Sequence, residues 1–525
     1  MKKMRKILTI AILCVGLAGM TSCNFLDENP KSSLTSVDYY KTAEQAEANV
    51  NYLYRNGAVM RIAQAPSAYI GPNASISGML TGYFTNSYEG QEVVCKYARE
   101  LTRQQNTSTV SSMIDGVWDE CYKSINIANG AIKHIPDIAM SESTSARLIA
   151  EAKFFRAFNY FYLVKMLGAV PMPTEPYESI ENLYLERTPV ETVYTLIEAD
   201  LKEAVEVLPA AKFADNAHRI TKYAAAMMLA DVYLQQGKYA DAATYARMVV
   251  ESPHKLTANE DLAMNSAFNK LRTTDDLDEV IYAVEYDASI HTGDWWPTYS
   301  CDASAVATFG TYSIMERVYG PTNRFLNVYD KEDLRIQPNQ FFHWKYTNPN
   351  TGAVWESKSA AGCWYWFDEE ALLTTGRGTK DQNFFRYAEA LLVAAESIAQ
   401  STGVTAEAAN CLAQVKARAD MNGKTVAQYA SELQALSKDL FIKECWLERL
   451  REFPLEFKIW DDCLRTGKFP VISETEAGKV DFQELIGATN ASGATFKKTD
   501  LLWPISINEI QRNPSLTQND GYSLK

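Results

Sequence analysis

The stretch AAMMLADVYLQQGKYADAATYARMVVESP, from Ala225 to Pro253, decides the fold class. Small and large apolar residues recur at three- and four-residue spacing on both sides of Gly237, which predicts two helices joined by a tight turn. A single helix pair cannot bury its own apolar face, so neighbouring helices must pack against it. The sequence therefore predicts a mainly α protein built from tetratricopeptide-like helix pairs. The residues that match the spacing of that repeat are Leu229, Ala230, Tyr233, Gly237, Tyr239, Ala242 and Tyr245.

Helical patterns flank this unit on both sides, whereas two other stretches have no sustained helical period. Thr42 and Gln45 have the spacing of a capping box, which predicts that a helix begins there and ends before Gly57. Between Ala146 and Leu167, apolar residues again recur every three or four positions. The sequence therefore predicts one domain over residues 23–525, with a helical scaffold at about 36–57, 110–258 and 383–465 and loop-rich regions at about 58–109 and 259–382.

Residues 1–22 have the pattern of an export signal. A basic start from Lys2 to Lys6 precedes an apolar run from Ile7 to Gly19, which is shorter than the roughly 20 residues of a membrane-spanning helix. Small residues and then Cys23 follow directly, as in the lipobox of bacterial lipoproteins. We expect residues 1–22 to be removed and Cys23 to carry a lipid that anchors the protein to a membrane. The alternative is ordinary cleavage, with Cys23 merely nearby.

The charge balance excludes nucleic acid as a partner. The chain has 51 Lys and Arg against 65 Asp and Glu, a formal net charge of −14. Removal of residues 1–22 takes away four basic residues and no acidic ones, which leaves 47 against 65, or −18. Proteins that bind nucleic acid need a basic surface to neutralise the phosphates.

The sequence contains no motif that indicates catalysis or metal binding. The five histidines are scattered without metal-ligand spacing, no Cys-x-x-Cys pair occurs, and the nucleophile motif Gly-x-Ser-x-Gly is missing. We therefore expect no catalytic residue, no cofactor and no metal ion. A surface glycoside hydrolase stays an alternative, because that chemistry needs only two carboxyl groups at a suitable separation in space.

Aromatic residues supply the candidate ligand contacts. Six of the ten tryptophans lie between Trp295 and Trp366, inside the second loop-rich region. The C–H face of a pyranose ring lies flat on Trp or Tyr while its hydroxyl groups need fixed polar partners, so an aromatic platform with a polar rim suits a glycan. The candidates are Asp294, Trp295, Trp296 and Tyr299, then Trp344, Trp364 and Trp366, and in the first loop-rich region Tyr83, Asn86 and Tyr88.

Two structural alternatives apply to these aromatic residues. Each of them could instead be a packing residue, because Trp is highly buried on average. Trp364 and Trp366 would share one face if their segment is a strand, because side chains alternate along a strand.

Several segments resemble the SusD/RagB family of Bacteroidetes surface lipoproteins. They occur in the order of that family from the lipobox to the C-terminus, so the resemblance covers essentially the whole chain. One departure lies at Leu455–Lys458, where Leu-Glu-Phe-Lys stands in place of the usual Phe-Glu-Gly-Arg. The segments are Phe25–Pro30, Ala150–Pro171, Arg187–Pro189, Arg219–Ala225, Phe385–Leu392, Glu448–Arg449, Trp460–Asp461, Leu502–Ile505, Asn513–Pro514 and Gly521–Tyr522.

The resemblance implies a right-handed superhelix of tetratricopeptide-like units that supports a loop-rich, partly β ligand face. It also implies an outer-membrane lipoprotein, exposed at the cell surface, that binds an oligosaccharide and passes it to a SusC-like TonB-dependent transporter. The alternatives are a peptide ligand in place of the glycan, the glycoside hydrolase, and a scaffold that binds a protein through its repeat groove.

Overall fold

A computed structural model describes residues 40–56, 75–90, 92–179, 183–287, 293–309, 317–357 and 361–524. The predicted export signal, the lipid-attachment candidate Cys23 and the first loop-rich region up to residue 74 lie outside the described residues. None of the helices in the described ranges has both the length and the apolar composition of a bilayer-spanning segment.

The predicted helix-turn-helix is confirmed as the helices Lys222–Gln235 and Tyr239–Val250. The first helix begins after Thr221, whose side-chain oxygen accepts a hydrogen bond from a backbone N–H of the first turn. The connecting turn contains Gly237 at φ 68°, a left-handed conformation that glycine adopts without steric cost. Small buried residues such as Ala242 let the two helices approach closely.

Consecutive helices pack side by side to form the scaffold. In the series that runs from the helix Thr107–His134 to the helix Tyr239–Val250, each helix packs against the next one in sequence. Tyr239–Val250 then packs against Tyr387–Thr402, although a long insertion separates these two helices in the chain. The fold is therefore mainly α and tetratricopeptide-like, as predicted. The scaffold helices are Ala43–Asn56, Thr107–His134, Glu142–Leu167, Val190–Val207, Lys222–Gln235, Tyr239–Val250, Tyr387–Thr402, Ala406–Ala419, Val426–Gln434, Lys438–Glu452 and Ile459–Thr466.

The scaffold segment predicted at about 383–465 is interrupted twice between Ala427 and Trp460 in the structure. Ser437 caps the helix Lys438–Glu452 by accepting a hydrogen bond from a backbone N–H, so a new helix begins there. Pro454 follows the end of that helix and has no N–H with which to continue it. Residues 383–386, expected to be helical, form the end of a strand instead.

The second loop-rich region is an insertion whose two ends are joined by paired strands. Val280–Val284 runs antiparallel to Gln382–Arg386, directly before the helix Tyr387–Thr402. This pairing returns the chain to the scaffold close to the place where it left. The other strand pairs are Phe84–Thr85 with Gly320–Pro321, Phe342–His343 with Gly362–Cys363, Lys345–Thr347 with Val354–Glu356, and Lys468–Ile472 with Val480–Glu484. The short helices outside the scaffold are Ser75–Leu80, Val93–Arg99, Ala267–Thr273, Trp296–Tyr299, Val306–Phe309, Asn323–Leu326, Glu369–Leu373 and Ile507–Arg512.

Buried arginines and carboxylates also join the insertion to the scaffold. Arg386 Nη1 donates hydrogen bonds to Glu279 Oε1 at 2.6 Å and to Glu452 Oε1 at 3.1 Å. Arg418 forms ion pairs with the same two carboxylates. Burial of these charges is costly by itself, and the cost is offset because each charge has an opposite partner at hydrogen-bonding distance. The network fixes the insertion against the helix Lys438–Glu452.

Candidate functional site

A cavity of about 440 Å³ lies where the insertion meets the helical scaffold. Most of its lining comes from the insertion, and Leu455, Glu456 and Phe457 contribute from the chain that follows the helix Lys438–Glu452. Its volume is within the range of small-molecule sites, about 300–1,000 Å³. The cavity is therefore large enough for part of an oligosaccharide.

Three aromatic side chains, Trp296, Trp366 and Phe457, form what we call the aromatic wall of this cavity. The ring centroids of Trp296 and Trp366 are 4.5 Å apart, with an angle of 27° between the ring planes. Phe457 lies 5.5 Å from Trp366 at 17° and 5.3 Å from Trp296 at 34°. At these distances the three rings pack against one another, so they form one rigid apolar stack whose edges and outer surface can contact a ligand.

Charged side chains surround the aromatic wall, and acidic ones predominate. Seven carboxyl side chains and two cationic side chains line the cavity. The resulting negative potential disfavours an anionic ligand and is compatible with hydroxyl groups, which can donate hydrogen bonds to carboxylates. The acidic side chains are Asp275, Asp294, Asp368, Glu369, Glu370, Asp381 and Glu456, and the cationic ones are Arg272 and Lys380.

Asp294 positions Trp296 in the wall. Its Oδ1 accepts the Trp296 backbone N–H at 2.8 Å, at the start of the short helix Trp296–Tyr299, and its Oδ2 accepts a hydrogen bond from Gln382 Nε2 at 3.3 Å. The pKa of Asp294 is raised to about 7, mainly by burial and to a smaller extent by the nearby Asp368, although the two hydrogen bonds oppose the shift. The side chain is therefore partly protonated near neutral pH.

Glu456 connects the cavity to the buried charge network. Its Oε1 accepts hydrogen bonds from Arg386 Nε at 2.9 Å, from Arg386 Nη2 at 2.7 Å and from the Tyr365 hydroxyl at 3.1 Å. Burial raises the pKa of Glu456, and the Arg386 charge opposes that shift. The network thus holds this lining carboxyl group, and with it the adjacent Phe457, in place.

The structure brings three of the predicted residues together at the cavity, namely Asp294, Trp296 and Trp366. Trp295 lies beside them but does not line the cavity; the Arg377 guanidinium lies 4.1 Å from its ring centroid. Tyr299 stacks on Trp295, is only 6% exposed and belongs to the hydrophobic core.

Trp364 and Trp366 do not share a face, because their segment is a turn of 3₁₀ helix and not a strand. Three residues per turn place positions two apart on different sides of such a helix. Trp364 is buried against Phe367, with ring centroids 4.2 Å apart, and donates its indole N–H to Asn269 Oδ1 at 2.8 Å. Trp344 is half-buried against the core, outside the cavity lining.

The candidates in the first loop-rich region also lie outside this cavity. Tyr83 is fully buried, and its hydroxyl donates to the Pro470 carbonyl at 2.6 Å. Asn86 is buried and donates a hydrogen bond to Glu92. Tyr88 is 36% exposed, which makes it the most accessible of these three side chains.

Sequence reasoning missed Phe457, Glu456, Arg272 and Lys380 as lining residues. Phe457 has aromatic neighbours in sequence, Phe453 and Trp460, but no helical or strand period relates any of the four residues to Trp296. The one available signal was the Leu455–Lys458 departure, which places a phenylalanine where the resemblance leads us to expect glycine.

Comparison with known proteins identifies the family. Residues 319–522 match the model described as the SusD family, and residues 24–234 match the model described as "Starch-binding associating with outer membrane". The chain belongs to the SusD family. The lining residues Trp366, Glu456 and Phe457 of this SusD family member lie inside the matched segments, whereas Asp294 and Trp296 lie between them. The cavity therefore combines matched residues with residues that neither model describes.

Individual SusD relatives match over nearly the whole chain. SusD-like protein P2 of Formosa agariphila is 25% identical over 495 residues, covering 89% of this chain and 91% of that relative. A SusD superfamily protein from Parabacteroides distasonis has a solved structure with a TM-score of 0.75 and 25% identity, covering 91% and 99% of the two chains. The surface glycan-binding protein A from Bacteroides thetaiotaomicron, solved in complex with laminarihexaose, has a TM-score of 0.69 and 17% identity, covering 92% and 100%. The last likeness establishes a shared fold.

Proposed function

We propose that this SusD family member binds an oligosaccharide on the aromatic wall of the 440 Å³ cavity, without cleaving it. The bound chain then passes to a SusC-like TonB-dependent transporter in the outer membrane, to which a lipid on Cys23 anchors the protein. The observation that carries the proposal is the stack of Trp296 and Trp366 at the side of a cavity with a polar rim.

The aromatic wall offers a rigid apolar surface against which the C–H groups of a sugar ring can pack. Trp296 is 8% exposed and Trp366 is half-buried, so packing fixes both rings while the cavity remains accessible beside them. A fixed aromatic surface loses little conformational entropy when a ligand binds, which favours affinity. The related glycan-binding protein solved with laminarihexaose supports this ligand class.

The charges of the cavity favour a neutral glycan over an acidic one. Carboxylates such as Asp368 can accept hydrogen bonds from sugar hydroxyls, whereas a uronate or a sulfated sugar would bring a second negative charge next to them. Arg272 and Lys380 add donors for ring and hydroxyl oxygens. This distribution of charge makes a neutral oligosaccharide the preferred occupant.

Calorimetric titration of the protein comprising residues 24–525 tests the proposal. We expect saturable binding of laminarihexaose, or of another neutral hexasaccharide in a glycan array, with no release of reducing ends over time. Trp366→Ala should weaken binding about tenfold, equivalent to about 1.4 kcal/mol, because it removes one of the stacked rings. Trp344→Ala is the matched control, since Trp344 is half-buried outside the cavity.

Each outcome of the titration has a definite meaning. Equal affinity of a folded Trp366→Ala variant and the wild type would contradict the proposed site. Binding of peptides in place of every glycan tested would contradict the ligand class, and release of reducing ends would support the hydrolase alternative. If Trp344→Ala weakens binding as much as Trp366→Ala, the site lies elsewhere on the insertion.

The anchor and the transporter are tested separately in cells. Cys23→Ala should move the protein from the membrane fraction to the soluble fraction and remove the lipid mass from its N-terminus. Affinity purification of the lipidated protein should recover a TonB-dependent barrel. Membrane retention of Cys23→Ala would contradict the lipid anchor.

A further inference from the structure

The backbone of Phe457 has an unusual conformation for a bulky residue. It follows the 3₁₀ turn Pro454–Glu456 with φ 62° and ψ 29°, in the left-handed region. In that region the Cβ atom crowds the following carbonyl oxygen, so glycine is strongly preferred. A strained residue of this kind persists only when its surroundings hold it, and such residues cluster at ligand sites.

Aromatic contacts hold Phe457 in this conformation. Its ring is close to parallel with that of Trp366 and makes an edge contact with Tyr319, at a centroid distance of 5.1 Å and an angle of 73°. The Tyr319 hydroxyl donates to the Pro454 carbonyl at 3.3 Å, which ties the turn to the same cluster. The position of the ring is therefore fixed before any ligand binds.

Phe457 also stands between two cavities. A second, narrower cavity of about 80 Å³ lies against the helical scaffold and is lined by side chains that include Tyr162, Lys165 and Phe384. The two cavities share Asn383, Glu456 and Phe457 as lining residues. Phe457 is thus part of the partition that separates the aromatic wall from the scaffold side.

We propose that Phe457 determines specificity by closing the oligosaccharide site toward the scaffold. The proposal rests on the proposed function and names the ligand more narrowly, as an unbranched neutral oligosaccharide. A sugar ring on the aromatic wall that carried a branch toward the scaffold would collide with the Phe457 ring. A variant without this ring should join the two cavities, where Lys165 and its ion-pair partner Asp461 offer polar contacts to a branch.

The test compares a linear and a branched probe of equal backbone length. Laminarihexaose and laminarihexaose with a single β-1,6-glucosyl branch are titrated into wild type, Phe457→Gly, Phe457→Ala and Phe457→Tyr. We expect wild type and Phe457→Tyr to prefer the linear probe at least about tenfold, because a steric clash in a pocket produces discrimination of this size. Phe457→Gly and Phe457→Ala should reduce the preference to about threefold or less by gaining affinity for the branched probe.

The outcomes separate this proposal from the proposed function. Binding of neither probe by the wild type would overturn the specificity proposal, and it would overturn the proposed function as well if no other neutral hexasaccharide of the glycan array binds. Binding with the same preference in wild type and Phe457→Gly, or with no preference in wild type, would overturn the role of Phe457 and leave the glycan site standing. Thermal unfolding shows that each variant is folded, and glycine suits the left-handed backbone, so at least one ring-deleted variant remains informative.

Discussion

Arg386 and Glu456, which lie 70 residues apart in the chain, are joined by hydrogen bonds from Nε at 2.9 Å and Nη2 at 2.7 Å to the same carboxylate oxygen. The same guanidinium reaches Glu279 and Glu452 through Nη1. One arginine at the end of the strand Gln382–Arg386 therefore joins the insertion, the scaffold and the lining of the cavity.

Replacement of Arg386 should strongly destabilise the fold. Arg386→Met leaves Glu279, Glu452 and Glu456 buried with less opposing charge, and removal of one partner from a buried ion network costs about 3–5 kcal/mol. Urea denaturation measures this loss in the free energy of unfolding. Arg247→Met is the matched control, because Arg247 pairs with Glu407 at the surface and should cost at most about 1 kcal/mol. Similar losses in both variants would contradict the role of the network.

The contribution of Asp294 to stability should fall as pH rises from about 4 to 7, whereas His254 and His343, whose pKa values burial lowers to about 4 and about 3, contribute with the opposite sign. The pKa of Asp294 is raised from its ordinary value of 3.8 to about 7, so the folded state binds this proton more tightly than the unfolded state does. The stabilisation is complete below the unfolded pKa and is lost as pH rises through the folded pKa. Burial likewise raises the pKa of Asp381 to about 7, with the same sign.

Variants of these two residues test the pH dependence. Asp294→Asn, which keeps an oxygen to accept the Trp296 N–H, should make the slope of unfolding free energy against pH more positive by up to about 1.4 kcal/mol per pH unit between pH 5 and 7. Asp381→Asn should likewise remove the contribution of Asp381 to the dependence of the unfolding free energy on pH. Denaturation curves at several pH values measure both effects, and an unchanged slope in Asp294→Asn would contradict the shifted pKa.

Glycine at position 457 should give a more stable protein than alanine. Both variants lose the same aromatic contacts, but alanine stays in the left-handed conformation, which costs an L-residue about 1–2 kcal/mol. At an ordinary helical position, by contrast, a glycine variant would be less stable than an alanine variant by about 0.5–1 kcal/mol. Thermal or urea unfolding of the two variants decides the order. Higher stability of Phe457→Ala would show that the backbone is not held at positive φ.

The buried cysteines should be inert in the folded protein. No disulfide links the cysteines of the described residues, and burial raises the pKa of thiols such as Cys301 and Cys411 to about 12. A thiol reagent should therefore react slowly with residues 24–525 in buffer and rapidly with seven thiols in denaturant. Fast reaction in the native state would contradict this burial. The thiols are Cys95, Cys121, Cys301, Cys363, Cys411, Cys445 and Cys463.

Aromatic density located the region of the candidate site but could not assign individual side chains. Trp295 and Trp296 are neighbours in sequence, yet only Trp296 lines the cavity, because the short helix that begins there directs the two side chains differently. Trp364 and Trp366 lie on one 3₁₀ turn, which also directs their side chains to different sides. A run of aromatic letters contains no signal for these turns.

Only the structure shows which contacts result from the departure at Leu455–Lys458. The sequence places Phe457 and Lys458 where the resemblance leads us to expect Gly-Arg, but it does not show what these two side chains contact. In the fold, Phe457 joins the aromatic wall, and Lys458 Nζ lies 3.2 Å from Glu389 Oε2.

The sequence by itself determined the helical scaffold and the acidic character of the protein, because periodicity and charge are properties of neighbouring residues or of simple sums. The tertiary structure alone decided which side chains share the cavity. Trp296 comes from the insertion and Phe457 from the turn after a scaffold helix, and they meet because the strand pair Val280–Val284 with Gln382–Arg386 and the Arg386 network bring these segments together. Contacts between segments so far apart depend on packing of the whole chain, which no local pattern encodes.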